Sequence, residues 1–334
     1  MTNHEALMRR AMHMAETARL HARPNPWVGA VLVCSNGAVY EGATQPLGNA
    51  HAEVIAISAA IAEGDSTVGA TLYTTLEPCS HTGRTGPCTE AIIAAGITHV
   101  VSAIADPDAN VAGTGFTALR AAGVEVIEGV CAEEVAQQLA PYLHHRRTGR
   151  PFVMLKMATT LDARTSIPNG PRWLTGEAAR TRVHQLRAES DAIVIGIGTV
   201  RADDPELTVR HVDGPSPRRI VLSHSPVDST AKINPCTVWS KDLDSLLDSL
   251  GDEGVLQLMV EGGPTVATAF HEQGLINQYI FHIAPVVSGS STAPGVFIGD
   301  VQKELSHCAV ISTTALGDDV EIVLQPFTKK VGAS

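Results

Sequence analysis

Residues 75–88 read Thr75-Leu76-Glu77-Pro78-Cys79-Ser80-His81-Thr82-Gly83-Arg84-Thr85-Gly86-Pro87-Cys88. Residues 70–75 have the apolar, β-branched character of a strand, and residues 89–95 read as a helix. Upstream, His51-Ala52-Glu53 opens another helix, residues 51–62, which Gly64 ends. One imidazole and two thiolates are ligand types that zinc selects, and three protein ligands leave the fourth tetrahedral position to a water. Zinc lowers the pKa of that water to about 7. Glu53 stands two residues from His51, near enough to reach the water without ligating, so it can take the water's proton and pass it to a leaving amine. Thiolates at helix starts also gain from the helix dipole. Taken singly, His-Ala-Glu is an ordinary helix start and two cysteines can be core. Their order, and their places at element boundaries, predict a zinc centre of His51, Cys79 and Cys88 with Glu53 as the catalytic residue.

The surrounding pattern is α/β. Residues 5–18 repeat apolar positions at helical spacing, residues 28–34 and 39–42 flank the hairpin signal Asn36-Gly37, and helices at 117–122 and 132–143 alternate with strands at 100–105 and 124–127. The polar run at 144–151 has the makings of a short linker, the alternative being a solvated helix end. Beyond it, strands at 152–157, 192–197, 219–222 and 255–260 alternate with helices at 177–188, 243–250 and 265–273, and strands at 278–284 and 320–325 follow. Glu261-Gly262-Gly263-Pro264-Thr265 comes after a strand and opens a helix, a place suited to an anionic ligand. Gly196-Ile197-Gly198-Thr199 also follows a strand but lacks the third glycine of a dinucleotide fingerprint.

The chain has 334 residues, a formal charge of −11, six cysteines and 44% hydrophobic residues. That length suits two domains, and the hydrophobic share excludes a disordered chain. So acidic a chain is a poor match for a phosphate backbone, and nucleic acid is not an expected partner. Apolar runs such as residues 192–197 fall far short of the ~20 residues of a spanning helix, and Thr2-Asn3-His4-Glu5 starts no signal pattern. No membrane partner is expected, and the expected location is the cytoplasm, where cysteines stay reduced. Cys34, Cys131, Cys236 and Cys308 lack a ligand context and read as bystanders.

His-x-Glu followed by Pro-Cys is the signature of the zinc nucleobase deaminases, whose motif usually closes as Cys-x-x-Cys. Here eight residues separate Cys79 from Cys88. With that insert, with the run Arg23-Pro24-Asn25-Pro26-Trp27-Val28-Gly29-Ala30-Val31, and with Asp106-Pro107 and Gly113-Thr114-Gly115, the first half closely resembles the deaminase domain of the RibD family of bifunctional riboflavin biosynthesis proteins. The resemblance implies a cytidine deaminase-like three-layer α/β/α domain over 1–147. It also implies bound Zn2+ and hydrolytic deamination of 2,5-diamino-6-(5-phosphoribosylamino)pyrimidin-4-one. It puts Asn25, His81 and Arg84 at the pyrimidine or its phosphate, for which an amide, an imidazole and a guanidinium are suited; plain turn structure is the alternative. Thr44 stands where the family commonly has a His, and Asp108-Ala109 replaces a common Asn-Pro.

The second half resembles the family's reductase domain through Phe152-Val153-Met154-Leu155-Lys156, Arg172-Trp173-Leu174-Thr175, Gly198-Thr199-Val200-Arg201-Ala202-Asp203-Asp204-Pro205, Leu207-Thr208-Val209-Arg210 and Val260-Glu261-Gly262-Gly263-Pro264-Thr265. This implies a dihydrofolate reductase-like α/β domain over 148–334. That domain would use NADPH to reduce the ribosyl group of 5-amino-6-(5-phosphoribosylamino)uracil to ribityl. By motif position Ala158, Trp173, Thr199, Asp203, Gly263, Pro264, Thr265, Val266, Ala267, Thr268 and Ala269 fall at the cofactor. Lys156, Arg187, Leu207, Arg210 and Glu261 fall at or near the substrate. Arg187 and Arg210 suit a phosphate, and Lys156, Asp203 and Glu261 are alternatives for the proton that ring opening needs. Pro168-Asn169-Gly170-Pro171, Ala163 and Ser223 depart from the family pattern. The family further implies small phosphorylated pyrimidines as ligands and a homo-oligomer, dimer or tetramer.

Overall fold

A computed structural model of the chain describes residues 3–82, 86–108, 111–167, 170, 173–299 and 306–327. The chain forms two compact units, Met1–Gly149 and Arg150–Ser334, each with its own sheet. The first contains α1 (Asn3–Ala18), β1 (Gly29–Val33), β2 (Val39–Ala43), α2 (Ala52–Ala62), β3 (Thr71–Leu76), α3 (Cys88–Ala94), β4 (His99–Ile104), α4 (Thr114–Ala121), β5 (Glu125–Glu128), α5 (Ala132–Gln138) and α6 (Ala140–Thr148). Asn36-Gly37 makes the expected tight turn, with Gly37 at φ 88° and the Cys34 N–H donating to the Ala38 carbonyl at 2.9 Å. β1 pairs antiparallel with β2 and β3, and β3, β4 and β5 run parallel, in the order β2-β1-β3-β4-β5.

Two glycines set the layers. A Cβ on Gly29 would lie 1.9 Å from the Ala11 carbonyl of α1, and one on Gly42 would lie 2.1 Å from the Ala52 carbonyl of α2. Gly42 pairs with Ala30, the neighbour of Gly29, so the two glycines point to opposite faces of the sheet. α1 therefore covers one face and α2 the other, which is the three-layer arrangement expected.

Two local expectations need correction. Residues 132–143 are not one helix. α5 stops at Gln138 and α6 starts at Ala140, because Pro141 in the first turn of α6 has no N–H to offer the carbonyl four residues back. Nor is 144–151 an open linker. α6 carries on through Thr148 with Arg146 and Arg147 in its basic last turn, and Gly149 ends it at φ 73° with its N–H on the His145 carbonyl at 2.8 Å. The solvated helix end is what forms.

The second unit contains β6 (Phe152–Thr160), α7 (Glu177–Ala188), β7 (Ala192–Gly196), α8 (Ile197–Asp203), β8 (Arg218–Leu222), β9 (Thr237–Trp239), α9 (Leu243–Asp252), β10 (Gln257–Val260), α10 (Pro264–Glu272), β11 (Gln278–Ala284), β12 (Cys308–Leu316) and β13 (Asp319–Pro326). The order is β12-β13-β11-β6-β10-β7-β8-β9, parallel throughout except for β13. Alternate residues of β6 enter two cores. Val153, Leu155 and Met157 pack with Leu246 and Leu250 of α9 and Phe270 of α10, and Met154 packs with Val183 and Leu186 of α7. Burial on both faces explains the near-continuous apolar run of β7. No helix among the described residues is long and apolar enough to cross a membrane.

Candidate functional site

In the first unit, three element ends converge. His51 sits extended at the N-cap of α2, Cys88 begins α3 behind Pro87, and Cys79 lies in the loop after β3. His51 Nδ1 is 3.3 Å from Cys88 Sγ and 3.6 Å from Cys79 Sγ, and the three ligand atoms all lie within 4.8 Å of one another. Around one tetrahedral zinc, with bonds of about 2.1 Å to nitrogen and 2.3 Å to sulfur, ligand atoms stand roughly 3.5–3.8 Å apart. The donor set and its spacing therefore fit a single zinc ion. Hydrogen bonds from Cys88 and then from His51 hold the Cys79 thiol down at about 4. Cys79, with burial, pushes the Cys88 thiol up. Two thiolates this close repel, and a bound cation would relieve that repulsion. Glu53, in the first turn of α2, is 3% exposed, and burial pushes its carboxyl up, as suits a group that must carry a proton. A cavity of about 520 Å³ opens beside His51 and Cys88, bordered by Gly48, Asn49 and Ala50 on one side and Glu90 of α3 on the other.

Of the expected substrate contacts, Asn25 is half-buried in the loop after α1, with its N–H on the Ala22 carbonyl at 3.0 Å. His81 is exposed two residues past Cys79. Arg84 lies outside the described residues, as do Pro168, Asn169, Pro171 and Arg172. Thr44 is 2% exposed, and its hydroxyl accepts the Val28 N–H at 3.0 Å, so this departure from the family pattern braces the entry to β1.

In the second unit the carboxyl ends of β6, β7 and β10 gather the other set, the usual place for a ligand in a parallel sheet. Lys156 and Ala158 lie on β6, Thr199 lies in the first turn of α8, and Gly263 caps α10. Thr199 Oγ1 accepts the Gly263 N–H at 3.2 Å. A Cβ on Gly196 or Gly262 would come within 2.9 or 2.7 Å of the Val266 side chain. The two glycine segments, 64 residues apart in the chain at Thr199 and Gly263, therefore share one surface with a helix N-terminus behind it. Val266 and Ala267 are buried in the core beside Phe270, with Ala269 against it, and Thr268 Oγ1 accepts the Ile298 N–H at 2.8 Å. Thr265 is exposed, as are Trp173, Asp203 and Arg210. Leu207, at φ 53° and 4% exposed, anchors its loop in the other core.

Both arginines expected at the substrate are already paired. Arg187 and Glu261 form a two-point ion pair, and Arg210 pairs with Glu206 at 2.5 Å. Burial works to raise the Glu261 carboxyl, but the Arg187 charge and hydrogen bonds bring it below the ordinary range. Burial pulls the Lys156 ammonium down, with Glu261 opposing. His184 Nδ1 accepts the Arg210 N–H at 3.0 Å, and its ring stacks on His211 at 4.3 Å. Two further ionisable residues of this unit, His282 and Glu321, are buried. His282 is fully buried, opposite Ala158 in the β6–β11 register, with Nε2 3.0 Å from Glu321. The sequence carries a signal of this pair, since an ionisable residue inside the apolar strand 278–284 asks for a buried partner.

Residues 1–104 match the cytidine and deoxycytidylate deaminase zinc-binding region, and residues 151–322 match the RibD C-terminal domain. The riboflavin biosynthesis protein RibD of Bacillus amyloliquefaciens is 35% identical, with 98% of each chain covered. The solved RibD of Acinetobacter baumannii is similar at a TM-score of 0.89 and 34% identity, over 97% of this chain and 99% of that one. The solved diaminohydroxyphosphoribosylaminopyrimidine deaminase/5-amino-6-(5-phosphoribosylamino)uracil reductase of Thermotoga maritima reaches 0.87 at 31% identity, over 97% and 98%. With both halves matched and the likeness running the length of the chain, the protein belongs to the RibD family, the bifunctional zinc-dependent deaminases and reductases of riboflavin biosynthesis.

Proposed function

We propose that the first unit removes the 2-amino group of 2,5-diamino-6-(5-phosphoribosylamino)pyrimidin-4-one by hydrolysis. The second then reduces the ribosyl group of the product, 5-amino-6-(5-phosphoribosylamino)uracil, to ribityl, with 1–147 and 148–334 as the functional domains. The observation that carries this reading is the cluster of His51, Cys79 and Cys88 with the buried Glu53 on the same helix start. His51, Cys79 and Cys88 would hold zinc, which would supply the Lewis acidity that makes water nucleophilic near neutral pH. Glu53 takes the proton from that water and gives it to the departing ring substituent, so nitrogen leaves as ammonia. Asn25, His81 and Arg84 hold the ring edge and the phosphate.

In the second unit bound NADPH would supply the hydride needed at the sugar C1′. Ala158, Trp173, Thr199, Asp203 and the start of α10 at Gly263 orient the cofactor. Lys156, Arg187, Leu207, Arg210 and Glu261 form the substrate end. Lys156, Asp203 and Glu261 are the candidates for the proton that ring opening needs. The enzyme works in the cytoplasm as a homo-oligomer on small phosphorylated pyrimidines, without a nucleic-acid or membrane partner. A stepwise assay tests this. The diaminopyrimidine alone should release ammonia, and adding NADPH should then consume reduced cofactor. Zinc-loaded protein that releases no ammonia, or that oxidises no NADPH with the deaminated compound, overturns the corresponding half.

A further inference from the structure

Glu77 is 3% exposed and takes no part in the deamination chemistry above. Its carboxylate is filled with backbone donors. Oε2 accepts the N–H of Asp106 at 3.1 Å and of Gly113 at 3.0 Å, and Oε1 accepts the N–H of Gly115 at 2.8 Å and of Phe116 at 3.3 Å. Gly113, Gly115 and Phe116 are the cap and first turn of α4, whose N–H groups have no partner inside the helix. A negative charge at that end is favoured, and four bonds offset the cost of burying it.

The same helix start presses on the metal loop. A Cβ on Gly115 would lie 2.0 Å from the Pro78 carbonyl, which belongs to the peptide joining Pro78 to Cys79. On the other side of Cys79, Ser80 Oγ lies 2.7 Å from Thr114 Oγ1. The residues flanking Cys79 are thus fastened to α4. Cys79 itself is fastened to α3, through the Thr89 N–H on its carbonyl at 3.1 Å and the Cys88 N–H on its sulfur at 3.4 Å.

We infer that Glu77 is a positioning residue for the metal centre: by binding the start of α4 it holds the Cys79 loop so that Sγ stands at ligating distance from His51 and Cys88 before the ion arrives. The inference rests on the zinc reading above. Its logic is that of an outer partner that orients a ligand.

The test uses the full-length, zinc-loaded protein. Glu77→Gln keeps the size but turns an amide NH2 toward two N–H donors, so two bonds become repulsions. Zinc affinity, read against a competing chelator, should fall about 10–100-fold, and the d–d bands of cobalt-loaded protein should shift. Val135→Ala, a core truncation in α5, should leave both readings at the wild-type value. Ser80→Ala should give a smaller loss of affinity in the same direction, and it decides the matter if Glu77→Gln does not fold: an unchanged affinity then overturns the inference. Wild-type affinity and bands in Glu77→Gln, or equal changes in Val135→Ala, overturn it too. Wild-type protein that takes no zinc at His51, Cys79 and Cys88 overturns the zinc reading instead.

Discussion

Arg187 of α7 and Glu261, the residue after β10, face each other fork to fork, with Nε to Oε2 and Nη2 to Oε1 both at 2.9 Å. The planar guanidinium matches the carboxylate, and the two side chains are only 11% and 18% exposed. Lys156 adds a second buried cation that the same carboxylate steadies. Truncating Glu261 leaves two positive charges in a low-dielectric space. Glu261→Ala is therefore expected to destabilise the protein by about 3 kcal/mol, the low end for breaking a buried pair. Adding Arg187→Met should recover part of that loss. Urea unfolding of the four proteins closes a double-mutant cycle; strictly additive losses would show that the pair contributes no coupling.

The two chemistries should separate by mutation. Glu53→Gln is expected to retain zinc while ammonia release drops by at least ~100-fold, the usual scale of a lost general acid–base. Cys79→Ser should lose zinc and ammonia release together. Both should oxidise NADPH at the wild-type rate when given deaminated substrate, since neither residue belongs to the second unit. Metal analysis with the two assays decides it, and ammonia release that survives Glu53→Gln would remove Glu53 from the mechanism.

The metal set is legible in the sequence because His51, Cys79 and Cys88 stand at element boundaries that the alternation of strands and helices locates, and because their chemistry is uncommon in that combination. Pairing between distant side chains is not legible. Arg187 reads as a cation open to a phosphate, and the fold shows it answered by a glutamate 74 residues away, at Glu261. β12 escapes detection for a different reason: its middle, Ser312-Thr313-Thr314, is exposed, so no buried face imposes an alternation. Leu207 and Val266 sit inside the expected binding motifs and are also buried in the cores, a second role that only packing shows.

Burial, with the Arg187 charge next, holds the His184 imidazole at about 4, against 6.5 for an ordinary histidine. Between those values the unfolded chain carries a proton that the folded chain does not. Stability contributed by neutral His184 is thus complete above pH 6.5 and is lost as pH falls toward 4. His184→Gln keeps an acceptor for the Arg210 N–H and cannot titrate. Thermal melts across this window should show a shallower pH dependence for the variant, and superimposable profiles would rule out His184 as the source.

Gly29 and Gly42 offer a sharper separation of stability from function. A methyl at either would meet a helix backbone carbonyl, at 1.9 Å on α1 and at 2.1 Å on α2, and a backbone carbonyl cannot swing away as a side chain can. Helix and sheet must part, at a cost of about 1–3 kcal/mol or more for overpacking. α1 carries no proposed ligand, so Gly29→Ala should lower the melting temperature and leave zinc affinity intact. The carbonyl that Gly42→Ala strikes belongs to Ala52, which lies between His51 and Glu53. That substitution should lower the melting temperature by a similar amount and also weaken zinc binding and ammonia release. Melting curves and chelator competition on both variants test the difference, and equal zinc affinity in the two would show that the seat of α2 on the sheet does not set the metal centre.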